Sequence, residues 1–235
     1  MDLRQLQLGL TSEHQCSYLT GQTERLVFTL PQQPLTPAVY QQLMNYNFRR
    51  TGDQLYRPYC QDCQACQAVR IAAAQFVSSA SQRKLLNKAK KSDWHYRVKP
   101  ARDAMQYFQL YQHYIRGKHA GGVMDPPDPE HLLSMFGCDW LDILVLEQYQ
   151  QQQLIGVMVL DQMPDGLSAV YSFYQPNHPL ALGKLAILAA LEYLASEPST
   201  WLYLGYYIAE CQKMAYKADF APQQRLIAGN WQSFD

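Results

Sequence analysis

Residues 141–174 read LDILVLEQYQQQQLIGVMVLDQMPDGLSAVYSFY. Three apolar runs, 141–149, 154–163 and 167–174, are parted by short polar connections at 150–153 and 164–166. That pattern predicts a meander of antiparallel strands. Just upstream, residues 101–117 place apolar groups at 104, 105, 107, 108, 111, 114 and 115, the stripe of a helix. Downstream, the pattern predicts a helix over 182–196, a strand over 200–207 and a shorter helix near 209–218. The N-terminal half predicts strands over 24–30 and 69–76 and helices over 37–47 and 80–91, the first helix opened by Thr36 and Pro37. Two proline-rich stretches, 30–38 and 124–131, punctuate the chain, and the second reads as a long loop. The expectation is an α/β (α+β) chain in two parts, residues 1–100 and 101–235.

The 235 residues suffice for one large domain or two small ones. No apolar run approaches the ~20 residues that cross a bilayer. The best candidate, LAILAALEYLA at 185–195, is short and contains Glu192. The first fifteen residues lack the apolar core of a signal peptide, so a cytoplasmic protein without membrane partners is expected. In a reducing compartment, six cysteines point to metal or chemistry rather than disulfides.

The formal charge is zero but unevenly spread. Residues 1–102 carry 14 basic and 6 acidic groups, a net +8, and residues 103–235 carry 6 basic and 14 acidic groups, a net −8. Either the basic half meets a polyanion or the two halves attract each other. The densest basic stretch, 81–102, holds Arg83, Lys84, Lys88, Lys90 and Lys91 on a predicted helix, followed by Trp94, His95 and Tyr96. Cations beside aromatic rings suit a nucleic-acid backbone with unpaired bases. A solvated helix face is the plainer reading.

Helix, three-stranded meander, helix, strand and helix is also the order in the core of the GCN5-related N-acetyltransferases (GNAT). Acetyl-CoA users of that fold cradle the pyrophosphate in a Gly-rich turn at a helix N-terminus. The matching turn here, QPNHPLALGKLA at 175–186, has one glycine and two prolines without an N–H. A GNAT-like scaffold whose acyl donor is not CoA is expected, with a CoA-dependent acetyltransferase as an alternative.

Several stretches together carry a more specific resemblance: CSYL (16–19), NFRRTGDQLYRPYCQDCQACQAVRI (47–71), YIRGKHAGGVM (114–124), AVYSFYQP (169–176), LGKLAILAALEY (182–193), WLYLGYYIAECQKMAYKADFAP (201–222) and Trp231. The chain resembles the aminoacyl-tRNA–protein transferases of the N-degron pathway, and more narrowly the bacterial aspartate/glutamate leucyltransferases, relatives of the eukaryotic arginyltransferases. The resemblance implies a GNAT-like domain with an additional N-terminal domain carrying the cysteines. It implies transfer of leucine from leucyl-tRNA to the α-amino group of proteins or peptides that begin with Asp or Glu. Arginine as donor, or a metal-stabilised RNA-binding module without catalysis, are the competing readings.

An aminoacyl ester is already activated, so no cofactor is required for transfer, and the site must chiefly align amine and ester and stabilise the oxyanion. Near the ends of the fourth and fifth strands of such a core fall Tyr171, Tyr174, Tyr206, Tyr207 and Glu210, the catalytic candidates. Each tyrosine is equally a packing residue. The acceptor's carboxylate calls for a cation. Arg49, Arg50, Arg57, Arg70, Lys213 and Lys217 are the candidates, unless nearby acids pair with them. Cys60, Cys63 and Cys66 form a CxxCxxC run that needs a fourth ligand for zinc or an iron–sulfur cluster, and Cys16 is the natural one. Related eukaryotic transferases are associated with iron–sulfur binding through a CxYC motif. Leu19 stands here where that motif has its second cysteine, which leaves a reduced, structural corner as the other reading.

Overall fold

The computed structural model describes residues 6–30, 35–122, 124–196 and 201–235. Residues 31–34 of the first proline-rich stretch and residue 200 of the predicted strand over 200–207 lie outside the described residues. The chain opens with β1 (Leu8–Leu10), β2 (His14–Gln15), β3 (Thr23–Glu24) and β4 (Leu26–Thr29). Then come α1 (Pro37–Met44), β5 (Arg49–Thr51), β6 (Gln54–Pro58), β7 (Gln67–Ala72), α2 (Ala80–Lys91) and β8 (Trp94–Pro100). The second half runs α3 (Phe108–Lys118), α4 (Pro129–Phe136), β9 (Ile143–Gln150), β10 (Gln153–Met163), β11 (Gly166–Tyr174) and α5 (Leu182–Ala195). It ends with β12 (Trp201–Tyr207), α6 (Gln212–Ala215), β13 (Gln223–Ile227) and β14 (Asn230–Phe234).

The result is a mixed α/β structure built on one large sheet in the order β14-β13-β7-β12-β11-β10-β9-β8. The predicted meander is its centre: β9, β10 and β11 pair antiparallel in sequence. Gln151 and Gln152 close the first hairpin with φ of 47° and 65°, a mirror-image turn that suits the twist of paired strands. β12 then pairs parallel to β11 and antiparallel to β7. The sheet draws β7 and β8 from before residue 101. The remaining N-terminal strands form a four-stranded sheet, β1-β4-β6-β5, and a two-stranded ribbon, β2-β3.

Alternation along the strands sorts the core into two faces. Leu146, Met158 and Leu160 pack with Leu202 and Leu204 against α5, whose apolar residues run all round its axis because it lies buried across the sheet. Their neighbours Val145, Val157 and Val159 pack the opposite way, with Phe173, against Tyr111 and Ile115 of α3 and Leu132 of α4. Each such side chain contributes about 1.5–3 kcal/mol on burial. On α1, Tyr40, Leu43 and Met44 join Leu55 of the N-terminal sheet to Met163 and Tyr203 of the large one.

Several elements depart from the sequence reading, which has no strand at β1, β2, β5, β6, β13 or β14. The stretch after α2, expected to offer free aromatic rings, is the edge strand β8. Its charges hid the pattern: Arg97 and Lys99 are held by the buried Glu147 of β9 at 3.0 and 2.8 Å. Trp94 Nε1 donates to Gln148, and His95 stacks on Tyr149. The expected loop 124–131 gives way to α4 at Pro129, because Asp128 caps the helix by accepting from the Glu130 N–H at 2.9 Å. The β13–β14 hairpin turns on Ala228 and Gly229, both at positive φ.

Candidate active site

The parallel pairing of β11 and β12 covers Gly166–Trp201, Leu167–Leu202 and Ser168–Tyr203. Both strands then bulge: β11 slips against β10 beside Ala169 and Tyr171, and β12 slips against β7 between Tyr203 and Gly205. Gly205 has φ of 80°, a left-handed conformation that favours glycine. A Cβ there would lie 3.3 Å from Nη2 of Arg49. The guanidinium of Arg49 thus fills the point where the two strands part. Its Nη2 donates to the carbonyl of Ala169 at 2.8 Å, and its Nη1 is buried without a hydrogen-bond partner.

Lys217 reaches the end of β12 from the 3-10 turn after α6. Its Nζ donates to the carbonyl of Tyr206 at 2.6 Å and contacts Met214 Sδ at 2.9 Å. Burial first, and the charge of Arg49 second, lower its pKa to about 7. The ammonium therefore titrates in the neutral range.

Beyond the bulge, the tyrosines of β11 pack on α3. Tyr174 packs edge-on against Tyr114 at 4.9 Å, and Tyr171 does so at 6.4 Å while its hydroxyl donates to Met124 Sδ at 3.2 Å. His119, just past α3, stacks obliquely on Tyr114, with Nε2 3.5 Å from the Tyr114 hydroxyl. Burial, then the nearby charge of Lys213, hold His119 below its ordinary pKa, so its imidazole is neutral at pH 7. Burial, with Tyr171 and Tyr174 adding, pushes the Tyr114 hydroxyl up and keeps it protonated. Tyr114, His119 and Gly205 were not singled out from the sequence. A glycine inside the predicted strand over 200–207 was a readable sign of a bulge. Tyr114 and His119 fall in the stretch 114–124 that carries the family resemblance, which assigned neither of them a role.

The remaining candidates are scattered. Tyr206 is buried, and its hydroxyl donates to the carbonyl of Asn47 at 2.8 Å. Tyr207 lies under the Arg225 guanidinium at 3.7 Å, and Glu210 is exposed beyond β12. Arg50 and Asp161 form an ion pair at 2.7 Å in which neither side chain is exposed, the pairing with a nearby acid that stood as the other reading of this cation. Arg70 is enclosed by aromatic rings. It is clasped between Trp201 and Trp231, 3.9 and 4.1 Å from the ring centres, and its Nε donates to Gln224. Arg57 stacks on Phe48 and Tyr59. Arg83, Lys84, Lys88, Lys90 and Lys91 all lie on the exposed side of α2. Lys88 Nζ ties that face to the turn before α5 by donating to the Pro179 carbonyl at 3.0 Å.

A cavity of ≈ 880 Å³ opens between the N-terminal sheet and the β13–β14 turn. Cys16, Cys60, Cys63, Cys66, Arg57 and Tyr206 lie on its wall. Cys16 Sγ accepts the N–H groups of Tyr18 and Leu19, both at 3.4 Å. Among the described residues, no three His, Cys, Asp or Glu side chains converge tightly enough to hold a metal ion. Burial, with the neighbouring thiols adding, pushes the Cys66 thiol up to about 12. Cys60, Cys63 and Cys16 all lie near enough to Cys66 for their charges to act on it.

Among the described residues, no helix is long and apolar enough to cross a membrane. Residues 14–84 match the family model described as arginine-tRNA-protein transferase, N terminus, and residues 106–227 the one for its C terminus. Proteins named aspartate/glutamate leucyltransferase match along nearly the whole chain. One from Vibrio cholerae is 41% identical over 98% of both chains, and one from Vibrio parahaemolyticus is 43% identical over the same shares. One from Aeromonas hydrophila is 41% identical over 98% of this chain and 96% of its own. The fold is similar to the C-terminal domain of a protein described as a lysylphosphatidylglycerol synthetase from Agrobacterium fabrum. That match has a TM-score of 0.52 at 11% identity and covers 84% of this chain and 64% of that one. The chain belongs to the arginine-tRNA-protein transferase family and is an aminoacyl-tRNA–protein transferase.

Proposed function

We propose that this chain takes leucine from leucyl-tRNA and joins it to the α-amino group of proteins beginning with Asp or Glu, in the cytoplasm, on a GNAT-like scaffold. The observation that carries the reading is the gap between β11 and β12, with a buried, unpartnered Arg49 nitrogen at its vertex and the tyrosines of β11 packed on α3 beyond it. The names of the relatives supply the amino acid and the acceptor.

The donor side falls at the turn before α5, beside the basic face of α2. This turn suits an RNA-borne ester better than CoA. Pro176 and Pro179 carry no N–H, the Leu180 N–H is taken by His178 Nδ1 at 3.2 Å, and the Leu182 N–H by the Leu180 carbonyl at 2.9 Å. Two prolines and two occupied N–H groups take four donors away from a pyrophosphate cradle in this turn.

In the reaction, the neutral α-amine attacks the ester carbonyl, the C–N bond forms, and the C–O bond to the terminal ribose breaks. The attacking nitrogen releases a proton and the ribose oxygen takes one up. The α-amino group has an ordinary pKa of ~7.7–8.0, so much of it is neutral near pH 7. His119 and the Tyr114 hydroxyl, 3.5 Å apart, form a relay that accepts the first proton and supplies the second. Tyr171 and Tyr174 hold Tyr114 in place from two sides.

The test uses purified full-length chain with labelled leucyl-tRNA or arginyl-tRNA and peptides beginning with Asp, Glu, Asn or Gly. Leucine should be added to the Asp and Glu peptides alone. Addition of arginine in its place, or no extension of any peptide, would overturn the assignment.

A further inference from the structure

Two cations lie buried at the vertex of the gap. Arg49 and Lys217 are each 6% exposed. Among the described residues neither forms an ion pair. Asp161, a carboxylate on which the Arg49 charge acts, is committed to Arg50 through three contacts of 2.7–2.9 Å. The groups facing Lys217 include no acid: Arg49 from β5, Cys66 before β7, Cys211 before α6, the Tyr206 carbonyl and the Tyr216 ring. Burying a second cation beside Arg49 without a counter-ion is unfavourable, and Lys217 answers by releasing its proton near neutral pH. Gly205 nevertheless keeps room for the guanidinium, and one of its nitrogens is left without an acceptor.

We infer that Arg49 and Lys217 together form the receptor for the side-chain carboxylate of the acceptor's first residue. This rests on the reading of the chain as a leucyltransferase for acidic N-termini, and it names the groups that read the acid. One carboxylate oxygen takes the free Arg49 Nη1–H and the other takes Lys217 Nζ. The amide of Asn or Gln, of the same shape, brings no charge and leaves both cations uncompensated. The site is complete only with substrate in it.

A consequence follows for protons. Lys217, lowered to about 7 by burial, is largely neutral at pH 8, and an arriving carboxylate favours its charged form. Binding an acidic N-terminus at pH 8 should therefore take up close to one proton, whereas binding the isosteric Asn peptide should take up none. The Asp side-chain carboxylate raises the pKa of its own α-amino group above that of the Asn peptide, so each peptide's titration is measured alone and its contribution subtracted.

The experiment is calorimetry of the full chain with Asp- and Asn-initiated peptides at pH 8, in phosphate and in Tris. These buffers differ in ionisation heat. Leucyl transfer is followed in the same preparations. Lys217→Met should abolish the extra proton uptake. Lys217→Met and Arg49→Met should each reduce the preference for Asp over Asn by roughly 10- to 100-fold, the worth of one charged hydrogen bond, and Arg49→Lys should restore part of it. If Arg49→Met fails to fold by circular dichroism, Lys217→Met decides alone. Equal proton uptake for the two peptides, or a folded Lys217→Met protein with undiminished preference, would overturn the receptor while leaving the leucyltransferase reading intact. Wild-type protein that extends neither peptide would overturn both.

Discussion

Replacing Asp161 with Ala should be among the most damaging single changes in the chain, and it should act on stability rather than chemistry. Arg50 sends Nε to both Asp161 oxygens at 2.9 Å and Nη2 to Oδ1 at 2.7 Å. Its other donors reach the carbonyls of Gly52 at 2.8 Å and Met135 at 2.9 Å. Neither side chain of the pair is exposed, so water cannot replace a lost partner. Removing one member of such a pair costs about 3–5 kcal/mol. A whole domain is typically stable by about 5–15 kcal/mol. Asp161→Ala and Arg50→Met should each lose that much in equilibrium urea denaturation. Arg50→Met with Asp161→Leu removes both charges and fills the space, so it should lie closer to wild type than either single variant. The expected coupling between the sites is about 3 kcal/mol. Leucyl transfer by the folded double variant should stay within a few-fold of wild type. Single variants that each lose less than 1 kcal/mol would refute the buried-pair account. A stable but inactive double variant would return Arg50 to the substrate site.

Changing Lys84, Lys88 and Lys91 to Glu removes three exposed cations from α2 without touching its buried side. It should raise the KM for leucyl-tRNA and flatten the salt dependence of tRNA binding by about 2 in log–log slope, and an unchanged KM would clear α2 of tRNA contact. Tyr206→Phe deletes the bond to the Asn47 carbonyl and should cost about 1 kcal/mol in urea with turnover intact. A large fall in turnover at unchanged stability would place that hydroxyl in the chemistry instead. Lys217 gives a pH signature of its own. Its pKa is about 7 folded and ~10.4 unfolded, so between those values the unfolded chain holds the proton that the folded chain has lost. Wild-type stability should therefore fall as pH drops from 10 to 7 and level off below. The stabilisation given by Lys217→Met should grow over the same range, and a pH-independent difference would contradict the assignment.

The meander was legible because its three runs alternate cleanly and its connections are short and polar. α5 was legible because a helix that is apolar all round must be buried. β8 was not, because an edge strand carries charges on its exposed positions, and here those charges meet a buried glutamate in the next strand. The site divides in the same way. The sequence named six cations for the acceptor's carboxylate, and residue type alone could not rank them. The ranking comes from partners that are remote in the chain. Arg50 finds its acid 111 positions away, and Arg70 is enclosed by tryptophans at 201 and 231. A cation becomes a candidate receptor only once its counter-ions have been counted, and that count depends on how distant strands pack. Arg49 and Lys217 stand out because neither has an ion-pair partner among the described residues, and the bulge at Gly205 keeps space for the guanidinium. The fold thus holds two like charges together at the one place where its parallel strands separate, an arrangement that costs stability without a ligand and gains most from an acidic one.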